Sequence, residues 1–367
     1  MRPRIAILSA NYGSGHFIAA KSLKHLFEDS TDTLLLDIVE HGSPVEKSSA
    51  KLHIWIWRYF PLIWRKIYYN SHSEKLKILL KNLLNIKIYK IIRDYNPEII
   101  ISTNPYATFY GEKYKLENPS TKLFVVVTDY VVHPLWISDK VDLYFLPSVF
   151  TLKFFSLSNY VISGMPLRKG FWFEIDKKDI RKELGIKTDK LVALIVGNSI
   201  FNPGEIIRYI NTFRNDLYFI IIVGKDTRRF YRVSSALKKD LNFKIYRYVE
   251  DIHKLFFACD FSITKAGGLT LSELIWTKTP AIYYKSLPGQ EEGNEAFIRE
   301  YRLGFIAKNF GQLISSTRLI IKNPYILKYF SNNLRVQKEN MDFFRIKDIV
   351  LGEVEKEFYL PSIYSFV

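Results

Sequence analysis

Short apolar runs, each closed by turn residues, recur along the chain, with helix-length stretches between them. The first series is RIAILSA (4–10), DTLLLDIV (32–39), NPEIIISTNP (96–105), KLFVVVTDY (122–130), VDLYFLPS (141–148) and NYVISGMP (159–166). Their brevity and Val/Ile/Leu content fit strands buried on both faces. Such strands, alternating with helices such as HFIAAKSLKHLFED (16–29), imply a parallel sheet covered on both sides. A second series follows Gly164-Met165-Pro166: KLVALIVGN (190–198), LYFIIIVGK (217–225), FKIYRYV (243–249), CDFSITKAGG (259–268) and TPAIYYKSLPG (279–289). The fold class read from this is α/β, two Rossmann-like doubly wound domains facing a cleft. Loops at the strand C-termini of both halves would then surround one site. The expected divisions are 1–165, 166–340 and a charged helical tail, 341–367, that can pack back on the first domain.

A length of 367 residues suits two domains, and 48% hydrophobic residues can fill two cores. The single cysteine, Cys259, excludes an intramolecular disulfide framework and suits a reducing compartment. IAILSA is too short for a signal-peptide core, and no uncharged apolar run reaches the length of about 18 residues that a spanning helix needs. The expected location is therefore cytoplasmic, with at most peripheral attachment to the inner face of the cell membrane. The formal charge of +16 favours an anionic partner. Much of it sits in Lys51–Arg93, where Trp55, Trp57 and Trp64 also fall and Glu74 is the one acid.

Three stretches carry candidate chemistry. In GSGHFIAAKSL (13–23), Gly13 and Gly15 follow a strand and let a ligand approach the backbone. His16 then opens a helix, where N–H groups attract anions, and imidazole there can act as acid, base or donor. The plain alternative is a histidine that caps local structure. In VVVTDYVVHPLW (125–136), Asp129, His133 and Trp136 stand beyond a strand, and a carboxylate there suits a general base. The alternative is a pair that closes a turn before Pro134. In TKAGGLTLSE (264–273), followed by PGQEEGN (288–294), Lys265, Gly267, Gly268, Leu269 and Thr270 end a strand and open a helix suited to phosphate. Glu273 suits a ribose diol, and Gln290 and Glu291 suit sugar hydroxyls. Here the alternative is an ordinary loop with a solvated acidic cluster. No His/Cys cluster suggests zinc, and no Asp-x-Asp pair suggests a metal-bridged diphosphate.

These three motifs, in this order and spacing, resemble the monogalactosyldiacylglycerol synthase and processive diacylglycerol glucosyltransferase group of glycosyltransferase family 28, over roughly residues 4–310. The resemblance implies a GT-B architecture and inverting transfer of glucose or galactose from a UDP-sugar to diacylglycerol or a glycosyldiacylglycerol. It implies no metal and no separate cofactor. It places His16 on the family's active-site histidine, Asp129 on its candidate base, Glu273 on the ribose, and Gly268 with Thr270 on the diphosphate. Gln290, Glu291 and Asn294 fall on the donor-sugar side, and Val249 on the segment whose backbone reads uracil. Gly13, Gly15, His133 and Trp136 fall on the acceptor side. One segment departs from the pattern: NSIFNPG (198–204) is poor in glycine, so Gly197 and Asn198 are not carried over as donor contacts.

Leu52, Ile56, Phe60, Ile63 and Ile67 share one side of a helix if 52–69 is helical, with Arg58 and Arg65 opposite. Together with Trp55, Trp57, Trp64 and Lys66 this is the layout of a helix lying in an anionic phospholipid surface. Pro61 would kink it. The rival is a core helix with solvated arginines. Other classes remain to be told apart: a UDP-sugar epimerase of the same fold, a catalytically inert lipid-binding relative, and a single-strand nucleic-acid binder. The last leaves the glycine/glutamate motif without a purpose, so no nucleic acid is expected.

Overall fold

The buried apolar runs pair into two six-stranded sheets in a computed structural model that describes residues 2–11, 15–42, 47–48, 56, 60, 62–63, 65–66, 74–153, 156–197, 201–237 and 243–352. The chain divides into two units. The first comprises Met1–Lys169, Pro288–Gly293 and the segment from Asn340; the second comprises Gly170–Leu287 and Asn294–Glu339.

In the first unit the elements run β1 (Arg4–Ser9), α1 (Gly15–Phe27), β2 (Asp32–Asp37), α2 (Ile38–His41), α3 (Glu74–Asn82), α4 (Ile86–Tyr95), β3 (Ile99–Ser102), α5 (Pro105–Glu117), β4 (Lys122–Val126), β5 (Leu143–Leu146) and β6 (Tyr160–Ile162). The strand order is β2-β1-β3-β4-β5-β6, and every pairing is parallel. Ile5 pairs with Thr33 on one side and Ile99 on the other. The chain therefore turns outward from β1 to β2, then returns to continue on the far side of β1. The crevice beyond the C-terminal ends of β1 and β3 is the place where such sheets bind ligands. Helix α5 lies close on the sheet: a Cβ on Gly111 would sit 2.6 Å from Leu123 Cδ1 and 3.2 Å from Ile100 Cγ2. Only a glycine permits that approach without displacing either side chain.

The second unit carries α6 (Lys177–Glu183), β7 (Leu191–Val196), α7 (Pro203–Phe213), β8 (Leu217–Ile222), α8 (Thr227–Ala236), β9 (Phe243–Tyr246), α9 (Ile252–Ala258), β10 (Phe261–Thr264), α10 (Gly268–Thr277), β11 (Ala281–Tyr284), α11 (Gln290–Tyr301), β12 (Gly304–Ala307), α12 (Phe310–Lys322) and α13 (Tyr325–Lys338); α11 begins in the Pro288–Gly293 segment of the first unit. A last helix, α14 (Arg345–Val350), returns to the first unit, where Met341 lies against the loop at Gly164. The second sheet has the order β12-β11-β10-β7-β8-β9. Its reversal falls between β7 and β10, so the loops after those two strands border its crevice. Burial falls at this edge of the sheet: β8 is buried at all six positions, whereas the edge strand β9 is half-buried throughout.

Three details depart from the sequence reading. Ile38 and Val39 leave the strand for α2, because the Asp37 carboxylate accepts the Val39 N–H at 2.9 Å and caps a helix. The basic region ahead of Asp94, expected as one long helical stretch, holds separate helices α3 and α4: Asn85 caps α4 by accepting from Lys87 and Ile88. Strand β12 adds an edge that no apolar run announced.

Candidate active site

In the first unit, β1 delivers the chain to the crevice and α1 leaves it. Gly15 is the first residue of α1, and a Cβ there would meet no atom within 4 Å, so its backbone borders open space. Gly13 lies outside the described residues. His16, in the first turn, is half-buried, and its Nδ1 is 2.5 Å from Thr128 Oγ1. Thr103, just past β3, fixes the same turn from the other side: its Oγ1 lies 2.9 Å from Ser9 Oγ and 3.1 Å from the His16 carbonyl. The Trp136 ring, 2% exposed, lies 6.1 Å from the imidazole, centroid to centroid. The histidine is thus held by β1, β3 and the segment after β4, and it stands at the switch point.

Asp129 follows Thr128 and is 4% exposed. The Gln290 side-chain amide donates to its Oδ2 at 2.6 Å. A buried carboxylate is costly without a hydrogen-bond donor, and this amide supplies one. Gly293 makes the approach possible, since a Cβ there would lie 2.6 Å from Val131 Cγ2 and 2.7 Å from Val131 Cβ. His133 caps the short 3-10 turn Pro134–Trp136, its Nδ1 accepting from the Leu135 N–H at 3.2 Å. That places the proton of a neutral ring on Nε2. His133 therefore has its Nδ1 committed to the backbone of the turn at Pro134.

In the second unit the chain leaves β10 through Lys265 and Ala266 into α10. Helices α2, α4, α5, α6, α7, α8 and α12 are capped by an Asn or Asp side chain. At α10 the N-cap is Gly267, with no side-chain cap and no acid in the first turn. The N–H groups of Gly268, Leu269 and Thr270 therefore keep both their donors and the helix's partial positive charge for an anion. Asn294, fully buried, donates from Nδ2 to the Ala266 carbonyl at 2.9 Å, and Ser286 Oγ accepts the Ala266 N–H at 3.2 Å. Asn294 accordingly braces the phosphate-type loop from behind. Glu273 and Glu291 are 1% and 5% exposed, while Lys265, Gly267 and Thr270 are half-buried. Val249 is half-buried between β9 and α9.

Sequence reasoning did not foresee Arg229. Its guanidinium donates to the carbonyls of Gly197 and Phe201, the two ends of the glycine-poor loop after β7. Asn198 lies outside the described residues. The motif TRRF gave no signal of this, because the partners are 28 and 32 residues away.

Of the surface segment, Trp55, Trp57, Arg58 and Trp64 lie outside the described residues. Phe60, Leu62 and Ile63 are 42%, 76% and 54% exposed, and Arg65 and Lys66 are exposed beside them. Arg65 Nε is 3.3 Å from Glu292 Oε2. Ile78, Leu83 and Ile86 are also exposed. Among the described residues, no helix is long and apolar enough to cross a membrane.

Two doubly wound units, each with a site at its switch point, define the GT-B class of fold. Solved structures agree: MurG of Acinetobacter baumannii aligns with TM-score 0.60 at 14% identity, over 95% of this chain and 100% of that one. HepE of Anabaena, in complex with UDP and glucose, aligns with TM-score 0.55 at 12% identity, over 96% and 99%. Residues 16–160 match the family described as monogalactosyldiacylglycerol (MGDG) synthase. A processive diacylglycerol beta-glucosyltransferase of Bacillus cereus is 27% identical over 96% of this chain and 94% of its own length. The chain is similar along its length to these diacylglycerol glycosyltransferases, the group that its three motifs resemble.

Proposed function

We propose that the protein is an inverting glycosyltransferase that moves a hexose from a UDP-sugar to diacylglycerol, or to a glycosyldiacylglycerol, at an anionic membrane surface. The observation that carries this is a crevice in each of the two units of a chain matched along its length to such enzymes. One holds His16 and Asp129; the other holds the uncapped α10 N-terminus with Glu273 in its second turn. Glucose is the favoured donor sugar, because the full-length relatives are glucosyltransferases by name.

In this reading the UDP diphosphate lies on the N–H groups of Gly268–Thr270, with the Lys265 ammonium nearby in sequence. Glu273 takes the ribose hydroxyls, and Val249 presents backbone to the uracil. Asp129 removes the proton of the acceptor hydroxyl. The acceptor oxygen forms its bond to the anomeric carbon while the bond to UDP breaks on the opposite face. The proton ends on Asp129, and the leaving diphosphate gains its charge where the α10 dipole stabilises it. His16, held by Thr128, orients the acceptor. The exposed Phe60, Leu62 and Ile63, beside Arg65 and Lys66, support attachment to the membrane that holds the acceptor. Incubation with UDP-hexose and diacylglycerol vesicles, followed by lipid mass spectrometry, tests the reading. A hexosyl-diacylglycerol supports it, and its absence with every UDP-hexose refutes it.

A further inference from the structure

Gln290 and Gly293 stand three residues apart at the start of α11, so they share one face of the first turn. That face meets the segment Asp129–Val131 at two points. Gln290 Nε2 donates to Asp129 Oδ2 at 2.6 Å, and Gly293 packs so closely on Val131 that a Cβ would be 2.6 Å from Cγ2. The neighbouring Glu292 holds the turn in place: its Oε2 accepts the Gly289 N–H at 3.0 Å and lies 3.3 Å from Arg65 Nε. A primary amide has two N–H groups and one carbonyl oxygen. With one N–H on Asp129, Gln290 keeps a second N–H and its oxygen for another partner.

We propose that Gln290 is the positioning residue for Asp129, aiming the base carboxylate, and that Gly293 is the residue that lets Gln290 reach it. The inference rests on the glycosyltransferase reading, in which Asp129 takes the acceptor proton. A base aimed this way has its geometry set by the first turn of α11.

The test is a double-mutant cycle on the full chain, with hexose transfer from UDP-sugar to diacylglycerol as readout and UDP affinity measured by calorimetry. Gln290→Ala should lower kcat by about 10- to 100-fold, the scale of a small misplacement of a reacting group. The UDP Kd should stay within about twofold, since the altered side chain is bonded to the base carboxylate. In the Asp129→Asn background the same substitution should change kcat less than about twofold, because the residue it acts through is already gone. Gly293→Ala should reproduce the kcat loss with UDP affinity retained, and a fold lost in that variant leaves the Gln290 arm to decide. A loss confined to KM for UDP-sugar at unchanged kcat overturns the inference, as does full multiplicativity with Asp129→Asn. Where Asp129→Asn falls below detection, the split between kcat and KM in Gln290→Ala alone decides. A parent enzyme that transfers no hexose overturns the underlying reading and the inference with it; an active parent with either adverse result overturns the inference alone.

Discussion

Asn294→Ala removes a brace from the loop between β10 and α10, proposed to hold the donor, without touching the loop's own residues. The Asn294 amide donates to the Ala266 carbonyl at 2.9 Å, and both residues are 0% exposed. Water cannot replace a donor at such a position, so the variant loses the bond and leaves a buried carbonyl unsatisfied. The combined cost is about 1–3 kcal/mol. If the cost falls on the loop, UDP affinity drops by about 5- to 150-fold, at about 1.4 kcal/mol for each factor of ten. If it falls on folding, Tm falls by roughly 2–4 °C for each kcal/mol in a unit of this size. Calorimetric titration with UDP and a thermal melt together apportion it. Ser286→Ala is the comparison: it removes the acceptor of the Ala266 N–H at 3.2 Å, but Ser286 is half-buried and water can take its place. Its effect should stay below about 1 kcal/mol. An Asn294→Ala protein with the parent's UDP affinity and melting temperature would refute the claim that this residue shapes the loop.

Glu273→Ala should weaken UDP by roughly 1.5–3 kcal/mol, the range for a hydrogen bond to a charged group, and EDTA should leave UDP binding unchanged. Loss of binding in EDTA would contradict a metal-free diphosphate site. At the surface, Leu62→Ser with Ile63→Ser should reduce co-sedimentation with phosphatidylglycerol vesicles at all salt concentrations. Arg65→Gln with Lys66→Gln should reduce it mainly at low salt, by about 1 kcal/mol per charge, since charge attraction is screened beyond about 8 Å at physiological ionic strength. Glutamine is chosen because a glutamate at 65 would face Glu292. Sedimentation equal to the parent's in both variants would make these exposed residues ordinary surface.

What is legible in the sequence of this chain depends on the range of the interactions. The strands were legible because each is a short apolar run, and burial on both faces leaves few other residues acceptable. Strand β12 escaped because its apolar run, Phe305-Ile306-Ala307, is only three residues long and follows a glycine. Its Gly304 is there for packing, as a Cβ would lie 2.2 Å from the Ala281 carbonyl oxygen. His16, Asp129 and the 265–273 loop stand out in the sequence because each sits just past a strand. Their partners do not, because the bonds that place them join residues far apart: His16 to Thr128 across 112 positions, and Asp129 to Gln290 across 161. Gly293 illustrates the point. As one letter in PGQEEGN it reads as a turn residue, and only the proximity of Val131 shows what its missing side chain permits.

The measurement that bears most directly on the central claim is the anomeric configuration of the product lipid, taken with its dependence on Asp129. Parent enzyme, diacylglycerol vesicles and UDP-α-glucose or UDP-α-galactose are incubated, and the extracted lipid is analysed by mass spectrometry and proton NMR. The account predicts a β-hexosyl-diacylglycerol, formed with inversion, and a fall in kcat of about 10²- to 10⁴-fold in Asp129→Asn with UDP affinity kept. An α-linked product, an epimerised UDP-sugar with no glycolipid, or near-parental turnover in Asp129→Asn would contradict it.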